Sequence, residues 1–427
     1  MQRLAVFGWI LALLAAPASA HADEEDRATE APQVERKQLN FAHVELKGDY
    51  PEGAQLPGLF GELSESLPDV LSRLKKAADD DKVTGVVLRL KSPSLGWGKL
   101  GEFRQVIEQV RAKDKKVYAW LDSASNMDYL LAASCDRIVM PESGMLMVTG
   151  LRAEVTFYKN LLDLLDVKAD MLRIGEFKSA AEPFTRTKMS DEFRQEMEAI
   201  LDDYYEHLVD SIAQGRKLDR EQVKRAIDNG PLTPEAAKEL GLIDHVGYED
   251  ELDSLITNGQ AHTDLKLTER YGKKKLDTDF SGLAGMIKMM NLLMGVEPQQ
   301  RFSRNPKIAV IYASGMIMPG KSEPTLFGGA EILGAETFIK AVEKARDDAT
   351  VKAIVLRVDS PGGSALASDL MWRSLQKAQD AGKPVFVSMG DVAASGGYYI
   401  SMGAKRIFAQ PGTLTGSIGV VGGKFGL

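Results

Sequence analysis

The chain has 427 residues, of which 44% are apolar and 27% charged. This composition is typical of globular proteins and excludes a polytopic membrane protein and a largely disordered chain. The length predicts two or three domains, and the net charge of −8, with no basic stripe, argues against nucleic-acid binding. A single cysteine, Cys135, excludes an internal disulfide bond and a multi-cysteine metal site.

The amino terminus has the order of segments found in a secretory signal peptide. A cationic start precedes the apolar run Leu4–Ala16 and a small-residue stretch that ends at Ala20. This apolar run is shorter than the roughly 20 residues that a membrane-spanning helix needs. We therefore predict a cleaved signal peptide over residues 1–20, in preference to a retained membrane anchor. The mature protein is then exported, to the periplasm or the outer face of the inner membrane, with residues 21–38 as a flexible tether.

Two parts of the chain repeat one pattern at an offset of about 268 residues. Val83–Pro93 and Val351–Pro361 are both apolar, β-branched runs that end in Ser-Pro, which predicts a buried parallel strand entering a turn. The other matching pairs are strands over Phe41–Lys47 and Ile308–Ser314, helices over Leu100–Ala112 and Ala367–Ala381, and strands over Val117–Leu121 and Val385–Met389. Strands that alternate with helices predict an α/β fold of two tandem units, each with a mainly parallel sheet flanked by helices.

The repeat also sets the predicted domain boundaries. The first unit covers residues 39–258, and its second half reads as helices, with Ser190, Asp219 and Thr233 as N-caps. Residues 259–306 are predicted to be a connector. Its methionine-rich stretch over 283–294 packs between the units or, as an alternative, contacts a membrane or a partner. The second unit covers residues 307–427 and, being shorter than the first, is expected to be incomplete at its C-terminus.

The two copies differ where chemistry is expected. The second copy has Asp-Ser-Pro-Gly-Gly over 359–363, where the first has Lys-Ser-Pro-Ser-Leu. It also has Ser395 and Gly396 among small residues, where the first copy has Asn126 and Met127. Paired glycines let a turn expose a backbone N–H, and a serine after a strand can be a nucleophile. Because both turns follow neighbouring strands of one copy only, we predict a catalytic site there.

A nucleophilic serine needs a base, and the second copy contains no histidine. The remaining candidates are a lysine, whose pKa burial can lower, or a carboxylate. One lysine of the first unit lies among small and aromatic residues over 174–184. Composition alone does not distinguish it from the many other lysines.

The motifs together resemble those of the signal peptide peptidase A (protease IV) family, in its long form with tandem domains. The matching segments are 351–363 with Ser-Pro-Gly-Gly, 390–399 with Ala-Ala-Ser-Gly-Gly-Tyr, 414–419 with Leu-Thr-Gly-Ser-Ile-Gly, and 177–184 with Phe-Lys-Ser-Ala-Ala-Glu-Pro-Phe. The resemblance covers nearly everything from about residue 40 to 427, and it implies a Clp/crotonase-type fold.

The resemblance also implies the site and the activity. Ser395 corresponds to the family nucleophile and Lys178 to its general base. Gly363 and Gly396 correspond to the oxyanion hole, and Ser417 to a serine that orients the lysine. The implied protein is an oligomeric, membrane-associated or exported serine endopeptidase that degrades hydrophobic peptides such as released signal peptides. It needs no metal or other cofactor.

Two other functions remain open at this point. Crotonase-type folds also include acyl-thioester enzymes, which polarise a carbonyl with two backbone N–H groups. That chemistry needs no serine, and an exported protein would meet little CoA. The degenerate first copy is also compatible with an inactive binding scaffold.

Overall fold

The computed structural model describes residues 36–53, 65–273, 305–322 and 331–427. The predicted signal peptide and the methionine-rich stretch over 283–294 lie outside the described residues. Within the described ranges, no helix is both long enough and apolar enough to cross a bilayer.

The first unit is built on a parallel sheet. Its strands are β1 (Lys37–Asp49), β2 (Gly85–Ser94), β3 (Lys116–Leu121), β4 (Arg137–Met140), β5 (Lys168–Ile174), β6 (His245–Val246) and β7 (Thr263–Thr268). All except β5 join one sheet in the order β6-β4-β3-β2-β1-β7. Because β7 pairs with β1, this sheet extends into the predicted connector, and β1 itself begins within the predicted tether.

Helices cover this sheet. They are α1 (Leu67–Asp79), α2 (Trp97–Arg111), α3 (Asn126–Ala132), α4 (Lys159–Leu164), α5 (Glu182–Thr185), α6 (Asp191–Arg216), α7 (Arg220–Asp228), α8 (Pro234–Glu239) and α9 (Leu252–Thr257). The side chains of Ser190, Asp219 and Thr233 accept backbone N–H groups at the starts of α6, α7 and α8, so these three predicted caps are confirmed.

The second unit repeats this plan. Its strands are β8 (Lys307–Ser314), β9 (Met316–Met318), β10 (Ile332–Gly334), β11 (Val351–Ser360), β12 (Val385–Ala394), β13 (Arg406–Phe408), β14 (Leu414–Gly416) and β15 (Val420–Gly426). Its helices are α10 (Ala335–Asp347), α11 (Ala365–Asp380) and α12 (Gly396–Ser401). The parallel sheet runs β13-β12-β11-β8, and β14 pairs with the end of β12. The α/β fold class with two tandem units is therefore confirmed.

Each unit has its own apolar core, formed where one face of the sheet meets the helices. In the first unit Val86 and Leu88 of β2 pack with Phe103 of α2. In the second, Leu356 of β11 packs with Met371 of α11. Helices α1 and α10 also occupy matching places in the two units, at an offset of 268 residues, although the sequence comparison above did not predict them.

The units contact each other next to the expected site through a strand pair and through a helix that lies on a strand. Strand β15 of the second unit pairs antiparallel with β5 of the first. The start of α2 lies directly on β12, and a Cβ atom on Gly98 would stand only 2.4 Å from Gly390 O. A residue without a side chain is therefore required there, because the two backbones touch.

Candidate active site

Ser395 lies at the junction between β12 and α12. Its backbone is strained, with φ 51° and ψ −113°, a conformation that typically costs about 1–3 kcal/mol outside glycine. The strain is maintained by β14, which pairs with the end of β12 and whose Gly416 O accepts the Ser395 N–H at 2.8 Å. The sharp turn leaves the Ser395 hydroxyl free of any role in capping α12.

Lys178 reaches this hydroxyl from the first unit. It follows β5 in a tight turn, where its own N–H donates to Gly175 O at 3.2 Å. Its Nζ lies 3.2 Å from Ser395 Oγ, 2.9 Å from Ser417 Oγ and 2.6 Å from Ser417 O. The structure thus brings Lys178, Ser395 and Ser417 together within one chain, although 217 residues separate the first two.

The surroundings of Lys178 favour its neutral form. The residue is only 6% exposed, and burial lowers the pKa of its ammonium below the ordinary value, while the carboxylate of Glu196 acts in the opposite direction. A neutral amine has two N–H groups and one lone pair. The two N–H groups match the two oxygen atoms of Ser417, and the lone pair is then left for the Ser395 hydroxyl proton.

The paired glycines lie beside the serine. Gly362 and Gly363 have φ values of 95° and 154°, a region that residues with side chains rarely adopt. A Cβ on Gly362 would lie 2.8 Å from Ser395 Cβ, and one on Gly396 would lie 3.3 Å from Gly363 N. The N–H groups of Gly363 and Gly396 find no acceptor among the described residues. Two free donors therefore stand next to the hydroxyl, as an oxyanion hole requires.

The chain is similar to known peptidases. The protein-family model described as Peptidase family S49 matches residues 109–262 and 377–426. The chain is 35% identical over 366 residues to "Serine protease SPPA, chloroplastic" of Arabidopsis thaliana, covering 85% of this chain and 51% of that protein. It is 33% identical over 378 residues to "Protease 4" of Salmonella typhi, covering 85% and 57%.

The chain is similar to peptidase family S49 over these two segments, and to these named proteins over most of its length. "Protease 4" of Haemophilus influenzae is likewise 33% identical, over 82% of this chain and 55% of that protein. The chain thus spans about half the length of the curated relatives it matches. Of the two segments that match the S49 model, the first contains Lys178 and the second contains Ser395, Gly396 and Ser417, whereas Gly363 lies outside both.

Two buried residues that support the site around Ser395 and Lys178 were missed by the sequence analysis. Glu182, 2% exposed, accepts hydrogen bonds from Ser190 N, Ser190 Oγ and Arg173, and so fixes the turn that carries Lys178. Ser360 Oγ accepts Gly362 N–H at 3.1 Å and donates to Gly315 O at 2.6 Å, which braces the glycine turn. Both residues stand inside the motifs quoted above, but nothing in the sequence shows that they are buried.

A strip of exposed apolar side chains lies beside Lys178 and Ser395. One face of the β5–β15 pair carries Leu172, Ile174 and Val420, which are 78%, 72% and 50% exposed. Strand β5 ends four residues before Lys178, and β15 begins three residues after Ser417. The strip therefore lies next to Lys178 and Ser395.

Proposed function

We propose that the protein is a serine endopeptidase in which Ser395 is the nucleophile and Lys178 the general base. The observation that carries the proposal is the 3.2 Å separation of Lys178 Nζ and Ser395 Oγ, with the lysine buried and its pKa lowered. Histidine is not needed, since a neutral lysine can accept the proton. Similarity to peptidase family S49 supports the same reaction class.

The proposed reaction has two halves. Ser395 Oγ attacks the peptide carbonyl while its proton passes to Lys178 Nζ, and the lysine then gives that proton to the departing amine. This leaves an acyl-enzyme on Ser395. Water hydrolyses it with Lys178 again acting as the base, and the serine hydroxyl is restored.

The negative charge on the tetrahedral oxygen is expected to be bound by the N–H groups of Gly363 and Gly396. Both donors are unused in the described structure and lie beside Ser395. Ser417 is expected to orient Lys178 through the two contacts from its oxygen atoms. Each donor in such a site typically contributes about 10²–10³-fold to the rate.

The substrates we propose are hydrophobic peptides, such as released signal peptides. The support is the strip of exposed apolar side chains, Leu172, Ile174 and Val420, that lies beside the site. This strip matches apolar side chains of a substrate better than charged ones. The signal-like residues 1–20 support action outside the cytoplasm, in the periplasm or on the outer face of the inner membrane. Assembly into a homo-oligomer and association with the membrane stay predictions.

Covalent labelling tests the proposal against its rivals. A fluorophosphonate should modify native protein at Ser395, located by peptide mass spectrometry, and should leave heat-denatured protein and Ser395→Ala unlabelled. The labelled protein should lose its hydrolysis of an apolar peptide. Hydrolysis or hydration of an acyl-thioester without labelling would instead favour the crotonase-type activity. Peptide binding without labelling or turnover would favour the inactive scaffold.

A further inference from the structure

The two strands that lead to the catalytic serine and the glycine turn lose their register just before the site. Val358 of β11 pairs with Met389 of β12, but the next pair is Ser360 with Ala393. Three residues of β12, Gly390 to Val392, therefore lie opposite Asp359 alone. Bulges of this kind bend a strand and redirect the side chains that follow it. Here the bulge sets the direction in which both strands enter the site.

Side chains maintain this bulge where the strand ladder cannot. Asp359 Oδ1 accepts Val392 N–H at 3.0 Å, which ties β11 to the displaced part of β12. The second carboxylate, Asp391, follows Gly390 within the bulge. Two carboxylates held this close repel each other unless a cation lies between them.

Lys99 of the first unit supplies that cation. Its Nζ lies 3.1 Å from Asp359 Oδ2 and 3.5 Å from Asp391 Oδ2. Glu52 lies 3.7 Å away but is already bound by both Nε and Nη2 of Arg357. The side chains of Lys99, Asp359 and Asp391 are only 14–17% exposed, so solvent screens their interaction weakly.

The backbone of Lys99 takes part as well. The N-cap of α2 is Gly96, which has no side chain to offer, and Asp391 Oδ1 accepts Lys99 N–H at 2.7 Å in its place. A carboxylate at a helix N-terminus is also favoured by the helix dipole. Burial lowers the pKa of Lys99, but the carboxylates of Asp359, Asp391 and Glu52 together raise it by more. The net shift of this pKa is upward, so the side chain stays charged. The pKa values of these two buried lysines, Lys99 and Lys178, are thus shifted in opposite directions.

We propose that Lys99 is a positioning residue that acts across the two units, holding the ends of β11 and β12 so that the glycine turn and Ser395 face Lys178. The inference rests on the proposed function and adds a second contribution of the first unit to the site. Lys99 touches neither Ser395 nor the apolar strip of Leu172, Ile174 and Val420. Its loss should therefore slow the chemical step and leave peptide binding nearly unchanged.

The test compares Lys99→Met, Lys99→Arg and a matched control, Lys91→Met. Lys91 is a half-exposed lysine of the first unit, paired with Glu45 at 2.8 Å. The measurements are kcat and KM on an apolar peptide and the rate at which a fluorophosphonate labels Ser395, each with a melting curve. We expect Lys99→Met to lower kcat and the labelling rate about 100-fold, with KM changed less than about threefold. Lys99→Arg should keep at least about a tenth of the activity, and Lys91→Met should equal wild type.

The outcomes separate this inference from the proposed function. Wild-type protein that does not label at Ser395 would overturn the proposed function itself. Normal labelling of wild type, with Lys99→Met labelling equally fast, would overturn the role of Lys99 alone. So would an arginine variant that melts like wild type but is as slow as Lys99→Met. If Lys99→Met does not fold, the double variant Lys99→Met/Asp391→Asn removes one charge of each sign. This double variant should fold and still label slowly, and wild-type labelling by it would overturn the inference.

Discussion

Ser395 and Asn126 both lie where a short helix begins after a strand, Ser395 as the N-cap of α12 and Asn126 as the first residue of α3, and their surroundings differ. In the first unit Ser125 and Asp128 form a capping box for α3, and the amide of Asn126 bonds to Gly150 O and Thr149 N. In the second unit Ser395 caps nothing, and its hydroxyl faces a lysine. The first unit uses its polar groups to stabilise local structure, whereas the second leaves them available for a reaction.

The turn before the helix shows the same contrast. In the first unit β2 continues through Ser94, which pairs with Asp49, and Leu95 then packs against the core. In the second unit the corresponding residues are Gly362 and Gly363, whose backbone turns away and leaves one N–H unused. Active sites commonly carry such local strain, and surrounding structure compensates for it.

The largest expected effect comes from removing the hydroxyl that distinguishes Ser395 of the second unit from Asn126 of the first. Ser395→Ala should reduce kcat by about 10⁶-fold, as loss of the nucleophile does in other serine peptidases, with little change in the melting temperature. The complementary change in the first unit, Asn126→Ser, should create no second catalytic site, because the first unit has no glycine turn. Steady-state hydrolysis of an apolar peptide measures both. More than a few per cent of wild-type turnover in Ser395→Ala would contradict the assignment.

Loss of the base should be nearly as damaging. Lys178→Ala and Lys178→Arg should both be inactive, because arginine keeps its proton at any pH near neutrality and cannot accept one from serine. Glu182 binds Arg173 and Ser190 rather than Lys178. Lys178 therefore has no structural ion pair with Glu182 that Lys178→Arg could preserve. An active arginine variant would show that another group is the base.

The pH dependence of wild type sharpens the same point. Burial disfavours the charged ammonium of Lys178 and lowers its pKa, so the neutral base forms at a lower pH than in an exposed lysine. We expect kcat/KM to rise with pH and to level off below the ordinary lysine value of about 10.4. A profile that is flat between pH 6 and about 10 would contradict the role of Lys178 as a titrating base.

A smaller effect is expected at the glycine turn. Gly363→Val should lower kcat about 10²–10³-fold while Ser395 remains present, since the N–H of residue 363 would be turned away from the oxyanion. The reason is steric as well as conformational, because a Cβ at this position would lie 2.1 Å from Ile317 O. Single-turnover acylation of wild type and Gly363→Val measures the step directly. Equal acylation rates would place the oxyanion hole elsewhere.

The smallest effect concerns the helix after the turn. In the second unit Ser364 caps α11 by accepting Ala367 N–H, whereas in the first unit Asp391 from the other unit caps α2. Ser364→Ala should cost about 1 kcal/mol of stability in denaturant unfolding. Introducing the same cap as Gly96→Ser should destabilise, because a Cβ there would lie 2.2 Å from Asp391 Cγ. Stabilisation by Gly96→Ser would show that the contact between the units is loose.

The repeated strands and helices could be predicted because their apolar periodicity is local. The pairing of β5 with β15 could not, since both strands are largely exposed and each is specified by a partner far away in the chain. Lys178 likewise has no local signature. The oxygen atoms that its Nζ contacts belong to Ser395 and Ser417 of the second unit, and the family resemblance was needed to select it. Asp359 and Asp391 were visible within their motifs, but their partner Lys99 lies in the other unit.

The pairing of β5 with β15 has a consequence for when the site comes into being. The sheet of the first unit needs only residues up to Thr268, whereas β15 ends at Gly426. At about 5–20 residues per second, a ribosome takes roughly 10–50 s to advance from β5 to the end of β15. Until Ser395 has been synthesised, the nascent chain holds Lys178 with no serine to activate. Under the proposed function, both units must therefore be made before peptide hydrolysis can begin.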